Sequence, residues 1–500
     1  MKKLLLILLC LPMIGFGQTL IPDANFEQAL INLGYDTGTP NGSVPTSNID
    51  TIISLDVSNT ITPDTNGIAD LTGIEAFTAL TYLDCSQNQI TILNVSNNIA
   101  LTKLYCWTNN LDTLDVGNNL ALTDLNCSFN NLNTLDVSVN IAITYLDCDG
   151  NNLDTLNVSE NTALNNLNCN LNQLTSLDVS QNTALEKLWC NHNNLDTLDI
   201  SANTDLKKFN CSHNNLDTLD VSANTDLNSF NCSHNNLNTL DVSANTDLYN
   251  LNCGYNNLDT LDVSNNLALA YLNCGFNNLD TLDVSANTDL NSFNCSHNNL
   301  NTLDVSANTD LYNLNCGYNN LDTLDVSNNL ALAYLNCGFN NLDTLDVSNN
   351  TALKSLYCSN NNLNTLDVST NTDLFLLTCG YNQLTSLDVS SNTALTILYC
   401  SGNQLTSLDV RNGNNTNFDA LGQLFPNING LNATNNPSLT CISVDDAAWA
   451  DSNWTVANGN IDSTMSFSNT SCPPFGCTDS LGINYDSLAT IDDSSCVYCD

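Results

Sequence analysis

The sequence predicts an α/β-type solenoid, with a parallel β-sheet on a concave face and loops with short strands on the convex face. A short helix is expected to cap its N-terminus. Three observations predict this class. A 21-residue unit recurs sixteen times without insertion from Leu80 to Asn415, with the consensus LxxLxCxxNxLxxLDVSxNxx. Apolar residues alternate around its cysteine: in LTYLDCS, Leu83 and Cys85 alternate with Tyr82, Asp84 and Ser86, the period of a short strand. Residues 227–285 and 290–348 are identical at an offset of three units. Such duplication is tolerated where each unit buries its apolar edge only against its neighbours.

The elements follow in chain order. Residues 1–17 read as a secretory signal: Lys2 and Lys3 precede an apolar run, and Gly15 and Gly17 stand before Gln18. Cys10 would suit lipidation, but Leu9 occupies the place where a small residue is expected. No other apolar run approaches the ~20 residues of a membrane span. Residues 18–79 form an N-terminal cap. Phe26, Ala29, Leu30 and Leu33 follow helical spacing, with Asp23 as cap and Gly34 as stop, and a divergent unit follows. Residues 80–415 are the repeats. In each, an Asn stands three after the Cys, from Asn88 to Asn403. An inward amide there can bond the turn backbone of neighbouring coils. Residues 416–472 break the register and form a C-terminal cap, in which Cys441 and Cys472 are expected to pair.

Composition excludes several functions. The chain has 52 acidic against 8 basic residues, a net charge of −44. Beyond the leader the basic residues are Lys103, Lys187, Lys207, Lys208, Lys354 and Arg411. These cannot form the basic stripe a nucleic-acid binder needs, nor an attraction to anionic membranes.

The cysteine ladder, Cys85 to Cys400 at every twenty-first residue, has three readings. Disulfides between coils suit an exported chain, but side chains stacked at the strand spacing sit too far apart. Metal binding needs converging ligands, and a linear stack does not converge. The third reading is packing: Cys as a small hydrophobe filling a narrow coil.

The LxxLxCxxNxL pattern resembles the leucine-rich repeat family over about two thirds of the chain. The 21-residue unit with Cys at its sixth position looks most like the internalins, bacterial surface adhesins. The LDCSxNxLTxLDVSxNTA variant is similar to secreted leucine-rich repeat proteins of Bacteroidetes. The resemblance implies that the concave strand face binds a partner. The segment 473–500 contains GCTDSLGINYDSLATIDDSSC, which resembles a short cysteine module of secreted Bacteroidetes proteins. That resemblance implies a Cys477–Cys496 pair, with Cys499 left over and Ile483 where a further Cys is usual. The module is expected to be cut short at Asp500, or exported without a sorting domain.

Candidate binding residues lie on and beside the strand. Position 5 of the unit holds Tyr105, Trp189, Tyr357 and Tyr399, and Asn in seven successive units from Asn210 to Asn336. Position 3 holds Tyr82, Tyr145, Tyr271 and Tyr334. Position 8 holds flat rings: His192, His213, His234, Tyr255, Phe276, His297, Tyr318, Phe339 and Tyr381. Identical residues on a repeat make a ladder rather than a catalytic site, so these rings either stack on one another or line a ligand strip. No enzyme is expected. Amides beside rings suit a polysaccharide or a protein partner.

Position 15 is Asp in fourteen of the sixteen units, with Asn94 and Asn157 the exceptions. Carboxylates ~5 Å apart repel by about 0.8 kcal/mol even in bulk water. Asx-type bonds from the following N–H groups would offset this. The alternative is a Ca²⁺ ladder along Asp220, Asp241, Asp262, Asp283, Asp304 and Asp325. The sequence thus predicts a secreted or cell-surface, monomeric adhesin or recognition module with no other cofactor. The rival reading is a non-binding acidic spacer stiffened by Ca²⁺.

Overall fold

The computed structural model describes residues 17–59, 61–62, 65–418, 430–472, 475–476, 479–483, 485, 491–492 and 496–498. The leader, apart from Gly17, lies outside them, as do Cys477 and Cys499. The chain divides into two units, Met1–Leu237 and Asn238–Asp500.

The first unit opens with its cap. Strand β1 (Gln18–Leu20) runs antiparallel to β2 (Ser43–Pro45), around helix α1 (Ala24–Asn32). Asp23 caps α1: its Oδ1 accepts the Asn25 and Phe26 N–H groups at 2.8 and 3.1 Å. Gly34 ends it at φ +83°. Glu27 is fully buried and accepts the Asn41 and Gly42 N–H groups, both at 2.7 Å, which ties the helix to its loop. Strand β3 (Ser54–Asp56) then starts a parallel sheet. Eight three-residue strands follow, one per repeat, from Tyr82–Asp84 to Ser229–Asn231.

The second unit repeats the plan. Its strands run in parallel register from Asn250–Asn252 to Ile397–Tyr399, and the last pairs with Leu431–Asn432. On the opposite side of the last coils, Ser386–Asp388, Ser407–Asp409, Cys441–Ser443 and Ser466–Ser468 form a second parallel sheet. Helix α2 (Ala447–Asn453) covers it, capped by Asp446. Trp454 is buried against Phe418, Trp449 and Phe467. Cys441 and Cys472 are joined by a disulfide with a Cα–Cα distance of 5.8 Å.

Side-chain amides hold the coils in register. In the second unit, Asn319 Nδ2 donates to the carbonyls of Cys295 and Cys316 at 3.0 and 3.1 Å. Its Oδ1 accepts the Leu300 N–H at 3.0 Å. In the first unit, Asn130 does the same with Cys106, Cys127 and Leu111. Each cysteine carbonyl therefore accepts from two asparagines, filling both its lone pairs. A second asparagine column stands at position 19. There Asn308, fully buried, donates to the carbonyls of Val284 and Asn287 at 3.0 and 2.8 Å.

The ladder thiols are free and buried. In the first unit Val57 holds the place of the cysteine in the coil before Cys85, and in the second Ala433 holds it in the coil after Cys400. Their backbones pair in the same way: the carbonyl of Val57 accepts from Asn88, and that of Ala433 from Asn436. The site thus accepts Val and Ala as well as Cys, in keeping with the packing reading. Burial pushes the thiols of Cys190, Cys253, Cys316 and Cys400 up to about 12. The ladder cysteines should therefore not react with a thiol reagent in the native protein at pH 8, and should react once it is unfolded. Cys316→Ala should cost about 1 kcal/mol of stability, the worth of one small buried group, measured by denaturant unfolding.

Candidate functional site

Each strand contributes positions 3 and 5 to one face, and position 7 continues it. In the second unit these three columns carry no charged residue across eight coils. Asp fills other columns, at positions 12, 15 and 21. The position-5 asparagines Asn252, Asn273, Asn294, Asn315 and Asn336 form an uninterrupted row. Their Oδ1 atoms accept the N–H two residues on, at 3.2, 3.1, 3.0, 3.3 and 3.1 Å. Only the oxygen can face an N–H, so each amide is fixed with its Nδ2 group directed away from the backbone. Those Nδ2 groups have no partner among the described residues. Beside them Tyr249 and Tyr271 pack edge to face at 5.4 Å. Tyr334 and Tyr357 meet at 5.3 Å, and Tyr399 ends the row half-buried.

The corresponding face of the first unit is charged. Lys103 pairs with Asp124 at 3.2 Å. Tyr82 and Tyr105 pack edge to face at 5.7 Å. The Tyr82 hydroxyl reaches Asp84 at 3.4 Å, and that of Tyr145 reaches Asp147 at 3.2 Å. Burial, then the charges of Asp84 and Asp56, push the Tyr82 hydroxyl up to about 12. Trp189 stands further along, on Lys187–Trp189.

The rings at position 8 do not join either face. They follow the strand in the left-handed region, with φ between 53° and 56° from Tyr255 to Phe339. Tyr255, Phe276, His297, Tyr318 and Phe339 stack nearly parallel, with centroids 3.9 to 4.0 Å apart. In the first unit His192, His213 and His234 stack at 4.0 Å. Within each stack the ring faces cover one another and the edges meet solvent. Burial, followed by the neighbouring imidazoles, lowers the pKa of His213. Left-handed backbone at residues with a Cβ costs roughly 1–2 kcal/mol each, and the stacking offsets part of that.

The carboxylates at position 15 are held by Asx-type bonds. Asp220, Asp241, Asp262, Asp283 and Asp304 accept the N–H of the serine two residues on at 2.9 Å, and Asp325 does so at 2.8 Å. The serine hydroxyls and these N–H groups lower the pKa of Asp220, Asp262, Asp283, Asp304 and Asp325. Among the described residues no group of three or more His, Cys, Asp or Glu side chains could hold a metal ion. In the tail, Cys496 is disulfide-bonded.

Sequence reasoning missed the carboxylate pair of Asp147 and Asp149 in the first unit. Burial, then the Asp147 charge, pushes Asp149 up to about 6, and its buried Oδ1 has no hydrogen-bond partner. The signal was present: position 7 is Asn in the next two coils, Asn170 and Asn191.

No protein-family model and no curated protein sequence matches the chain. Solved structures do. The functional domain of InlJ from Listeria monocytogenes, which includes a cysteine ladder, is 33% identical with a TM-score of 0.55, covering 85% of this chain and 82% of that one. A leucine-rich repeat protein of Leptospira interrogans is 22% identical with a TM-score of 0.55, covering 77% and 96%. The plant peptide hormone receptor RGFR1, solved in complex with RGF2, is 17% identical with a TM-score of 0.64, covering 85% and 81%. The latter two share the fold. With the InlJ similarity, the 21-residue period and the buried thiol ladder, the chain belongs to the leucine-rich repeat family.

Asp149 gives a prediction of definite sign. Its raised pKa favours folding below the unfolded value of about 4, and that contribution is lost as the pH rises through about 6. Asp149→Asn should therefore raise the melting temperature at pH 7.5, with the gain vanishing below pH ~4. An equal gain at both pH values would show that burial of the charge is not the cause.

Proposed function

We propose that this leucine-rich repeat chain is an exported, non-catalytic recognition protein that binds its partner through the strand faces of its units. The observation that carries this reading is the uncharged face of the second unit. In a chain of net charge −44, eight coils keep every charge off three adjacent columns. They place there a row of oriented amide donors and tyrosines, Tyr271 exposed and Tyr334, Tyr357 and Tyr399 half-buried. A surface kept only soluble has no need of either, and an oriented donor lowers the ordering cost of binding. The RGFR1 structure, a peptide receptor in complex with its hormone, supports a binding role for the fold.

Export is supported by the Lys2–Lys3 leader and by the Cys441–Cys472 disulfide, which persists in an oxidising compartment. Free thiols survive there because they are buried. Among the described residues no helix is long and apolar enough to cross a membrane. The partner is a protein or a polysaccharide of a surface, and the protein acts as an adhesin or recognition module. The second reading, an acidic spacer, is favoured by the exposed Asp column at position 15.

The test is a binding screen of the exported chain against surface proteins and polysaccharides, with and without Ca²⁺. Trp189→Ala probes the first unit's face, and Tyr357→Ala with Tyr399→Ala probes the second's. Saturable binding that weakens by more than about tenfold, at unchanged melting temperature, supports recognition, since buried aromatic anchors contribute on the order of 2 kcal/mol. No saturable ligand, together with a melting temperature that rises with Ca²⁺ and falls with chelator, supports the spacer.

A further inference from the structure

The neutral face of the second unit repeats itself. Residues 238–285 and 301–348 are identical, so each coil there has a counterpart three coils on. A shallow open groove on this face is lined by Asn250, Asn252, Tyr271, Asn273 and Asn294. Three units later Asn313, Asn315, Tyr334 and Asn336 stand in the same order, with Tyr357 in the place of Asn294. The intervening strands pair in register, Tyr271 on Ser292 on Asn313 on Tyr334. The groove and its sequence counterpart three coils on therefore lie three strand spacings apart, about 14 Å.

We propose that these grooves form a tandem site for an uncharged linear polysaccharide, whose repeating residues occupy both at once. The proposal rests on the reading that the strand face binds the partner. Three features select this ligand class. The face has no charge, so it offers nothing to an ionic partner, while the acidic columns elsewhere repel polyanions. Its donors, the free Nδ2 groups of Asn252, Asn273, Asn315 and Asn336, suit hydroxyl and ring oxygens. The two grooves are matched residue for residue, apart from one position. A ligand of irregular surface can satisfy only one of them, whereas a polymer with translational repetition gains from both. The rings at position 8 take no part, since their faces are covered.

The experiment is a titration of the full chain with neutral oligosaccharides, from disaccharide to octasaccharide, in series drawn from β-1,4- and β-1,3-glucans, mannans and chitin-type chains. One series should bind, with affinity stepping up by about a hundredfold at the length that first spans both grooves. Tyr271 is 40% exposed, so its truncation leaves the core intact. Tyr271→Ala or Tyr334→Ala alone should remove the step and change short-oligomer affinity by only about twofold, one of two similar sites being lost. The double variant should lose binding at every length. Affinity that climbs smoothly with length, or is abolished by either single change, overturns the tandem site. Failure of every series while a protein ligand binds the strand face overturns this inference and leaves the recognition reading standing. Absence of any strand-face ligand removes both.

Discussion

The asparagine three residues after each ladder cysteine is the constraint on which the rest depends. A coil of 21 residues has three in a strand and turns back within a few more. Most of its backbone groups point at neighbouring coils rather than at water, and each must be satisfied. One amide per coil bonds two carbonyls and one N–H, joining successive coils at one fixed height. The cysteine, the leucines and the valine then fill what space remains. This explains why the thiol is replaceable, by Val57 before the ladder and by Ala433 after it, while the asparagine runs from Asn88 to Asn403 in every repeat.

Register at the interior dictates order at the surface. Because each coil repeats the previous one at the strand spacing, every exposed position becomes a column. The column at position 8 is forced into a left-handed backbone, and its rings stack. The column at position 15 gathers carboxylates whose repulsion is offset by Ser N–H groups and hydroxyls. The column at position 5 becomes a row of amides whose oxygens are engaged by their own backbone. Recognition requires that the residues in such columns be varied enough to match a partner, and a neutral partner is suited by columns without charge. The second unit has the first property sparsely, since its coils are near copies, and the second throughout.

Much of this was legible in the residues. The period, the strand alternation around LTYLDCS, the inward amide and the Asp23 cap all follow from local rules that packing did not override. The Cys441–Cys472 bond was also legible, from two cysteines that break with the ladder. The position-8 rings were harder to read: whether they lined a ligand strip or covered each other depends on backbone geometry. Gly150 and Gly402 at that position, both at positive φ, were the available clue. A Cβ on Gly402 would lie 2.7 Å from the Tyr381 ring. The second asparagine column was visible in the consensus, but its role was not. Its oxygen, as at Asn308, has no hydrogen-bond partner, and no local rule anticipates that. The charge difference between the two strand faces was present in the residues at positions 3, 5 and 7, but where the first unit gives way to the second is visible only in the contacts.

The most direct measurement of the central claim is amide hydrogen exchange and denaturant unfolding of Asn319→Ala beside Asn320→Ala. Asn320 is exposed and donates one bond, to the Asn299 carbonyl at 3.2 Å. Asn319→Ala removes one of the two bonds at each of the Cys295 and Cys316 carbonyls and strands the Leu300 N–H, so it should cost about 2–3 kcal/mol and speed exchange at Leu300 and in the adjoining strands. Asn320→Ala should stay within about 0.5 kcal/mol. Equal, small effects of the two substitutions would contradict the account, because apolar packing alone would then be holding the coils in register.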